Sequence, residues 1–126
     1  MRLLLDSHAA LWALIDSDRL GPVAKQMIFD AETVVVSVVT PWELGIKRSA
    51  GKLDFPEEMV ASFVASGYEI LQVSAEHAVA APALPMHHRD LFDRMLIAQA
   101  RHENLTVVTS DAQFDDYDVD VLDASK

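Results

Sequence analysis

Cysteine is absent from this 126-residue chain. Its absence excludes disulfides, thiolate metal sites, iron–sulfur clusters and a cysteine nucleophile together. Glycine (4) and proline (5) are sparse, and no repeat or low-complexity stretch occurs, so a disordered chain is not expected. No apolar run approaches the roughly 18 residues that span a bilayer. Basic residues are few as well: 10 Lys and Arg face 20 Asp and Glu, a formal net charge of −10. A protein that holds nucleic acid by bulk charge is basic, so composition excludes that mode of binding.

What remains is enough apolar material for one core. Residues AVILMFWYC make up 51% of the chain, and the length suits a single domain over 1–126. The opening Met1-Arg2-Leu3-Leu4-Leu5 meets Asp6 and His8 too soon for the apolar stretch of an export signal. A cytoplasmic protein is the expectation, with no membrane contact.

Short β-branched or Leu-rich runs alternate with longer helical patterns. Strands are expected at Leu3–Leu5, Thr33–Ser37, Glu69–Val73, Leu105–Val108 and Val119–Leu122. Helices are expected at Ala9–Ile15, Val23–Ala31, Trp42–Ser49, Pro56–Ala65, Ala75–Ala81 and Leu91–His102. Pro82-Ala83-Leu84-Pro85 reads as a loop. The strands are nearly all apolar, as strands covered on both faces are, and the alternation predicts an α/β fold with a parallel sheet between helices.

In such a sheet, sites form at the carboxyl ends of the strands. Asp6 follows the first strand and Asp111 the fourth. Glu43 falls at the start of the helix leaving the second strand. Asp93 falls in the first turn of a helix that runs back, so it reaches the same edge. Each acid also has an ordinary role. Asp6 and Asp111 can cap the turns they precede, Thr40-Pro41-Trp42-Glu43 spells a capping box, and Asp90 can cap the helix of Asp93. Caps need not share an edge, however, and four anions brought together repel one another unless a cation joins them. Oxygen ligands without cysteine suit Mg²⁺ or Mn²⁺, one or two ions that clamp a phosphate and activate water.

Four stretches carry a family resemblance: Leu3-Leu4-Leu5-Asp6-Ser7-His8-Ala9-Ala10-Leu11-Trp12, Ser37-Val38-Val39-Thr40-Pro41-Trp42-Glu43-Leu44, His88-Arg89-Asp90-Leu91-Phe92-Asp93-Arg94-Met95-Leu96-Ile97-Ala98-Gln99-Ala100, and Val107-Val108-Thr109-Ser110-Asp111. In this order they resemble the PIN-domain ribonucleases, and closely the VapC-type toxins of type II toxin–antitoxin modules. The family often has Pro where Leu91 stands, which leaves both flanking acids in register. The resemblance implies a PIN-like three-layer α/β/α fold with a five-stranded sheet in the order 3-2-1-4-5. It implies a metal-dependent endoribonuclease with Asp6, Glu43, Asp93 and Asp111 as catalytic and metal-binding residues. It also implies a VapB-type antitoxin partner and a homodimer, with RNA as substrate and no DNA binding by this chain alone. A non-catalytic binding partner of the same fold, or a carboxylate-metal nuclease acting on DNA, are the rival expectations. A phosphoaspartate phosphatase needs a second Asp two positions after the first, and Asp6-Ser7-His8 lacks it.

Supporting candidates cluster around the acids. Ser7 and Thr109 can orient a ligand by their hydroxyls, Asp90 can act behind Asp93, and Arg94 can pair with Asp90 or hold a phosphate. Lys47, Arg48 and Lys52 form the one basic cluster, either a solvated helix end or a contact for RNA backbone. His87 and His88 have no third ligand at usable spacing and read as a solvated loop pair. His8 and Trp12, four apart, read as packing on one helix face.

Overall fold

The computed structural model describes residues 1–55 and 58–126. Its strands are β1 (Arg2–Leu5), β2 (Thr33–Ser37), β3 (Glu69–Leu71), β4 (Thr106–Thr109) and β5 (Val121–Asp123), paired in parallel in the order β3-β2-β1-β4-β5. The expected order 3-2-1-4-5 is thus the observed one. β1 lies at the centre, with Leu3–Leu5 opposite Val34–Val36 on one side and Thr106–Val108 on the other. Side chains alternate across a strand, so the two faces of these few residues feed two cores. Leu3, Leu5, Val34, Val36 and Val108 pack with α1 (Ser7–Leu14), α2 (Pro22–Asp30) and α4 (Met59–Ala65). Leu4, Val35 and Val107 pack against α6 (Leu91–Glu103) and the end of α5 (Ala75–Ala83). α3 (Val39–Ser49) crosses the top, giving Leu44 to the first core and Val39 to the second. Leu3, Leu4 and Leu5 are fully buried, and the one polar position of the central strand, Arg2, stands exposed at its start.

Three expectations need correction. α3 starts at Val39 rather than Trp42, after Val38, which offers no side-chain cap. The capping box at Thr40 is therefore not formed: Thr40 is the second helical residue and buried, and Pro41 is the third, where the N–H lacks an intrahelical partner in any case. Glu43 consequently belongs to the second turn. Pro82 lies inside α5 rather than in a loop, and only Leu84-Pro85 leaves the helix. The expected helix start at Pro56-Glu57 lies outside the described residues, and α4 runs Met59–Ala65 within them.

The segment after β5 returns to the start of α2. Gly21 N–H donates to Ala124 O (2.9 Å) and Val23 N–H to Lys126 O (2.7 Å). A Cβ at Gly21 would meet Lys126 C at 2.3 Å and Ser125 O at 2.5 Å, both backbone atoms. Gly21→Ala is therefore expected to displace residues 124–126 and cost about 1–3 kcal/mol. Urea unfolding checks this, and an unchanged midpoint would show that the terminal segment is not bound there in solution.

Candidate metal centre at the carboxyl edge of the sheet

β1 ends at Leu5, and Asp6 turns the chain into α1. Its N–H donates to Val108 O (3.0 Å), which ties the turn to β4 across the centre of the sheet. Both carboxylate oxygens are used. Oδ1 accepts from Ala9 N–H (2.8 Å), capping α1, and Oδ2 accepts from the Thr109 hydroxyl (2.6 Å). Asp6 is buried, and that desolvation raises its pKa above the ordinary carboxylate value, against the two hydrogen bonds that lower it. The Asp111 charge adds to the rise. Asp6 thus caps α1 with one oxygen while the other stays turned toward β4 and Thr109.

Glu43 is also buried, and its two oxygens have different partners. Oε1 accepts from Ser7 Oγ (2.5 Å), and Oε2 pairs with Lys47 Nζ (3.0 Å) one turn on. Ser7 follows Asp6 directly, so the α1 start links two of the four acids. Lys47 is committed to Glu43, and Arg48 lies over the Phe55 ring at 5.0 Å.

Asp93 is in the first turn of α6, capped by Asp90, whose Oδ1 accepts from Phe92 N–H (2.9 Å) and Asp93 N–H (3.1 Å). Burial pushes the Asp93 carboxyl up to about 7, and the charges of Asp90, Glu43 and Asp6 add to the rise while His88 opposes it. Asp111 caps the short 3₁₀ turn Ala112–Asp116 through Oδ1 and takes Thr109 Oγ1 on its own N–H (3.0 Å). Thr109 thereby joins Asp6 to Asp111. Thr109→Val is expected to lower divalent-metal affinity about 10–100-fold, the usual effect of removing a group that orients ligands, with little change in fold. Calorimetric titration with Mn²⁺ measures it.

The residue missed from the sequence is His88. It is not solvated: its Nε2 lies 2.8 Å from Asp93 Oδ2 and 3.1 Å from Asp111 Oδ2. His87 departs from it and packs edge-on against Tyr117. The signal available was position, since His88 stands two residues before the helix cap Asp90 and the loop carrying it must cross the same edge. Arg94 is the other correction. It does not pair with Asp90: it is buried, and its guanidinium donates to the carbonyls of Ala81, Pro82, Leu84, Pro85 and His88 at 2.9–3.3 Å. Those of Ala81 and Pro82 belong to the last turn of α5, so Arg94 closes that helix end. Tyr117 completes the support, accepting from His87 N–H and His88 N–H and donating to Pro85 O (2.7 Å).

A parallel α/β sheet whose switch point gathers four carboxylates of distant sequence origin defines a class of acidic, metal-suited sites. The sequence pattern of the PIN domain matches residues 3–120, and the chain belongs to that family, whose members are in general nucleases using divalent metals. Its fold is that of one chain of VapBC2 from Rickettsia felis bound to a promoter DNA fragment (TM-score 0.70, 18% identity, 97% and 98% of the two chains covered). It is likewise similar to a chain of DNA-bound VapBC from Salmonella typhimurium (0.70, 17%, 98% and 98%). FitAcB from Neisseria gonorrhoeae matches at 0.68, with 18% identity and 97% of each chain covered. Comparison with curated protein sequences gave no significant match. Among the described residues, no helix is long and apolar enough to cross a membrane.

Proposed function

We propose that this chain is a Mg²⁺- or Mn²⁺-dependent endoribonuclease, the toxin of a type II toxin–antitoxin module. The observation that carries the reading is Asp93. Carboxylates from distant parts of the chain meet around it, with Asp90, Glu43 and Asp6 near enough to raise its pKa and His88 Nε2 at 2.8 Å from its Oδ2, and a divalent ion would offset the repulsion among the acids. The donor set fits such an ion: hard carboxylate oxygens from Asp6, Glu43, Asp93 and Asp111, with no sulfur. When bound there, the ion would polarise a phosphodiester and lower the pKa of attacking water.

The chain's own residues do the rest. Asp6 and Asp93 are the principal ligands, with Glu43 and Asp111 acting directly or through water. Thr109 and Ser7 hold Asp6 and Glu43 by hydrogen bonds, which fixes the oxygens before substrate arrives. The acids lie at the carboxyl edge of the sheet, Asp6 and Glu43 buried and Asp93 and Asp111 partly exposed, so substrate would approach from the side of Asp93 and Asp111.

The matched structures are named as VapBC, FitAB and toxin–antitoxin complexes, and that supports an antitoxin partner here. An antitoxin segment bearing Arg or Lys would satisfy the same carboxylates, a direct route to inhibition. A homodimer is part of the same proposal. Net charge agrees with it in one respect: Asp111–Lys126 alone holds six acids and one base, so RNA binding without metal should be weak.

The test is cleavage by wild type and Asp6→Asn of RNA, single-stranded DNA and a phosphate monoester, with Mg²⁺ or Mn²⁺. Wild type is expected to cut RNA and the variant to be inactive. Equal cleavage by both would sink the mechanism. Cleavage of DNA in preference to RNA would move the substrate, and a folded wild type that binds no Mn²⁺ at millimolar concentration would make it a binding partner without catalysis.

A further inference from the structure

We infer that His88 is a nitrogen ligand of this metal centre, coordinating through Nε2 beside Asp93 and Asp111, and that it favours Mn²⁺ over Mg²⁺. The inference rests on the metal-nuclease reading and adds a donor outside the four acids.

The first argument is distance. The ligand atoms of His88, Asp93 and Asp111 all lie within 4.8 Å of one another. Adjacent ligands of an octahedral ion bound at about 2.1 Å are about 3 Å apart. The Nε2–Oδ2 separations of 2.8 and 3.1 Å match that spacing with little movement needed.

The second is preorganisation. The His88 backbone is fixed on both sides, its N–H to Tyr117 Oη (2.8 Å) and its carbonyl to Arg94 (3.2 Å). The ring meets Phe114 edge-on, with centroids 6.1 Å apart. An imidazole that needed only to be solvated would not require such anchoring.

The third is the tautomer. Coordination through Nε2 requires the proton on Nδ1. In the metal-free protein the contacts of Nε2 with Asp93 and Asp111 place the proton on Nε2, so an ion would displace that proton and take its place between the same atoms. The opposing bond at the other nitrogen, Asp90 N–H to His88 Nδ1, is long at 3.4 Å and exposed, so water can replace it. The molecule contains a useful contrast. His77, His102 and Glu103 also bring three ligand atoms within 4.8 Å. There Ser74 N–H donates to His77 Nδ1 at 3.0 Å within a formed capping box, which puts the ring proton on Nε2, facing Glu103. That cluster is a helix clamp, and the corresponding bond at His88 is longer, 3.4 Å against 3.0 Å, and belongs to no capping box. Imidazole nitrogen suits transition-metal ions more than Mg²⁺, whose partners are oxygens, hence the expected preference.

Electron spin-echo envelope modulation on the Mn²⁺-loaded full-length chain reads the ligand directly. Wild type and His87→Gln are expected to show modulation from a coordinated ¹⁴N, and His88→Gln to lose it. Titrations should show Mn²⁺ affinity falling about tenfold or more in His88→Gln, with Mg²⁺ affinity less affected. Circular dichroism and melting of each variant confirm folding. Mn²⁺ bound to wild type without ¹⁴N coupling, or an unchanged Mn²⁺/Mg²⁺ ratio in His88→Gln, overturns the role of His88 and leaves the carboxylate centre standing. No Mn²⁺ binding by folded wild type overturns the centre itself, and the assignment with it.

Discussion

Asp93→Asn is expected to abolish cleavage and, at the same time, to stabilise the metal-free protein above neutral pH. The two effects share one cause. The unfolded chain gives up this proton near pH 4, whereas the folded protein keeps it until about 7. Between those values the folded state binds more protons than the unfolded one, so stability falls as pH rises through the window. The full shift corresponds to at most about 4 kcal/mol, and a gain of roughly 1–3 kcal/mol for the neutral amide at pH 8 is expected. Mn²⁺ should restore wild type at pH 8 and do little for the variant, because an ion that binds only the folded state stabilises it by mass action. Cleavage should fall by more than the roughly 10–100-fold typical of a lost supporting group. Thermal melts at pH 5 and 8, with and without Mn²⁺, test the linkage. A wild type whose metal-free stability rises from pH 5 to 8 would contradict it.

The second large effect belongs to Arg94. Arg94→Met is expected to destabilise the fold by about 3–5 kcal/mol, because five carbonyls lose their donor and the end of α5 is left open. Arg94→Lys should recover little of this. An ammonium is a point donor, and the carbonyls it must reach are spread from Ala81 to His88, a geometry that a planar guanidinium spans. Urea midpoints give the loss. A small change in the lysine variant would show that charge alone, rather than the fork of donors, holds the 81–88 segment.

The sheet was legible because its three inner strands are short, apolar and largely buried, and a resemblance supplied the order of all five. Asp6, Asp93 and Asp111 stand out in the sequence because each lies at or beside the start of an element on the carboxyl side of the strands, whereas Glu43 lies a turn inside α3. What escaped was whatever depends on contact across the fold. His88 acquires its partners from α6 and from the turn after β4, neither near it in sequence in a way that spacing alone reveals. Arg94 looked like a neighbour for Asp90 because both lie on one helix turn, yet its long side chain runs the other way, into the end of α5. Thr40-Pro41 imitated a helix start, but Val39 is covered by the second core and helix formation extends to include it. In each case local pattern lost to packing.

The hydrogen bond from Thr109 to Asp6 spans 103 positions of chain. Its consequence concerns the order of manufacture. Asp6 leaves the ribosome about a hundred residues before the strand that seats it, and Asp111 comes later still. A product interrupted before residue 109 carries Asp6, Glu43 and Asp93 without the neighbour that joins β1 to the far half of the sheet. Chains that stop short of β4 should therefore leave the Asp6 carboxylate without its hydroxyl partner and β1 without its neighbour on that side.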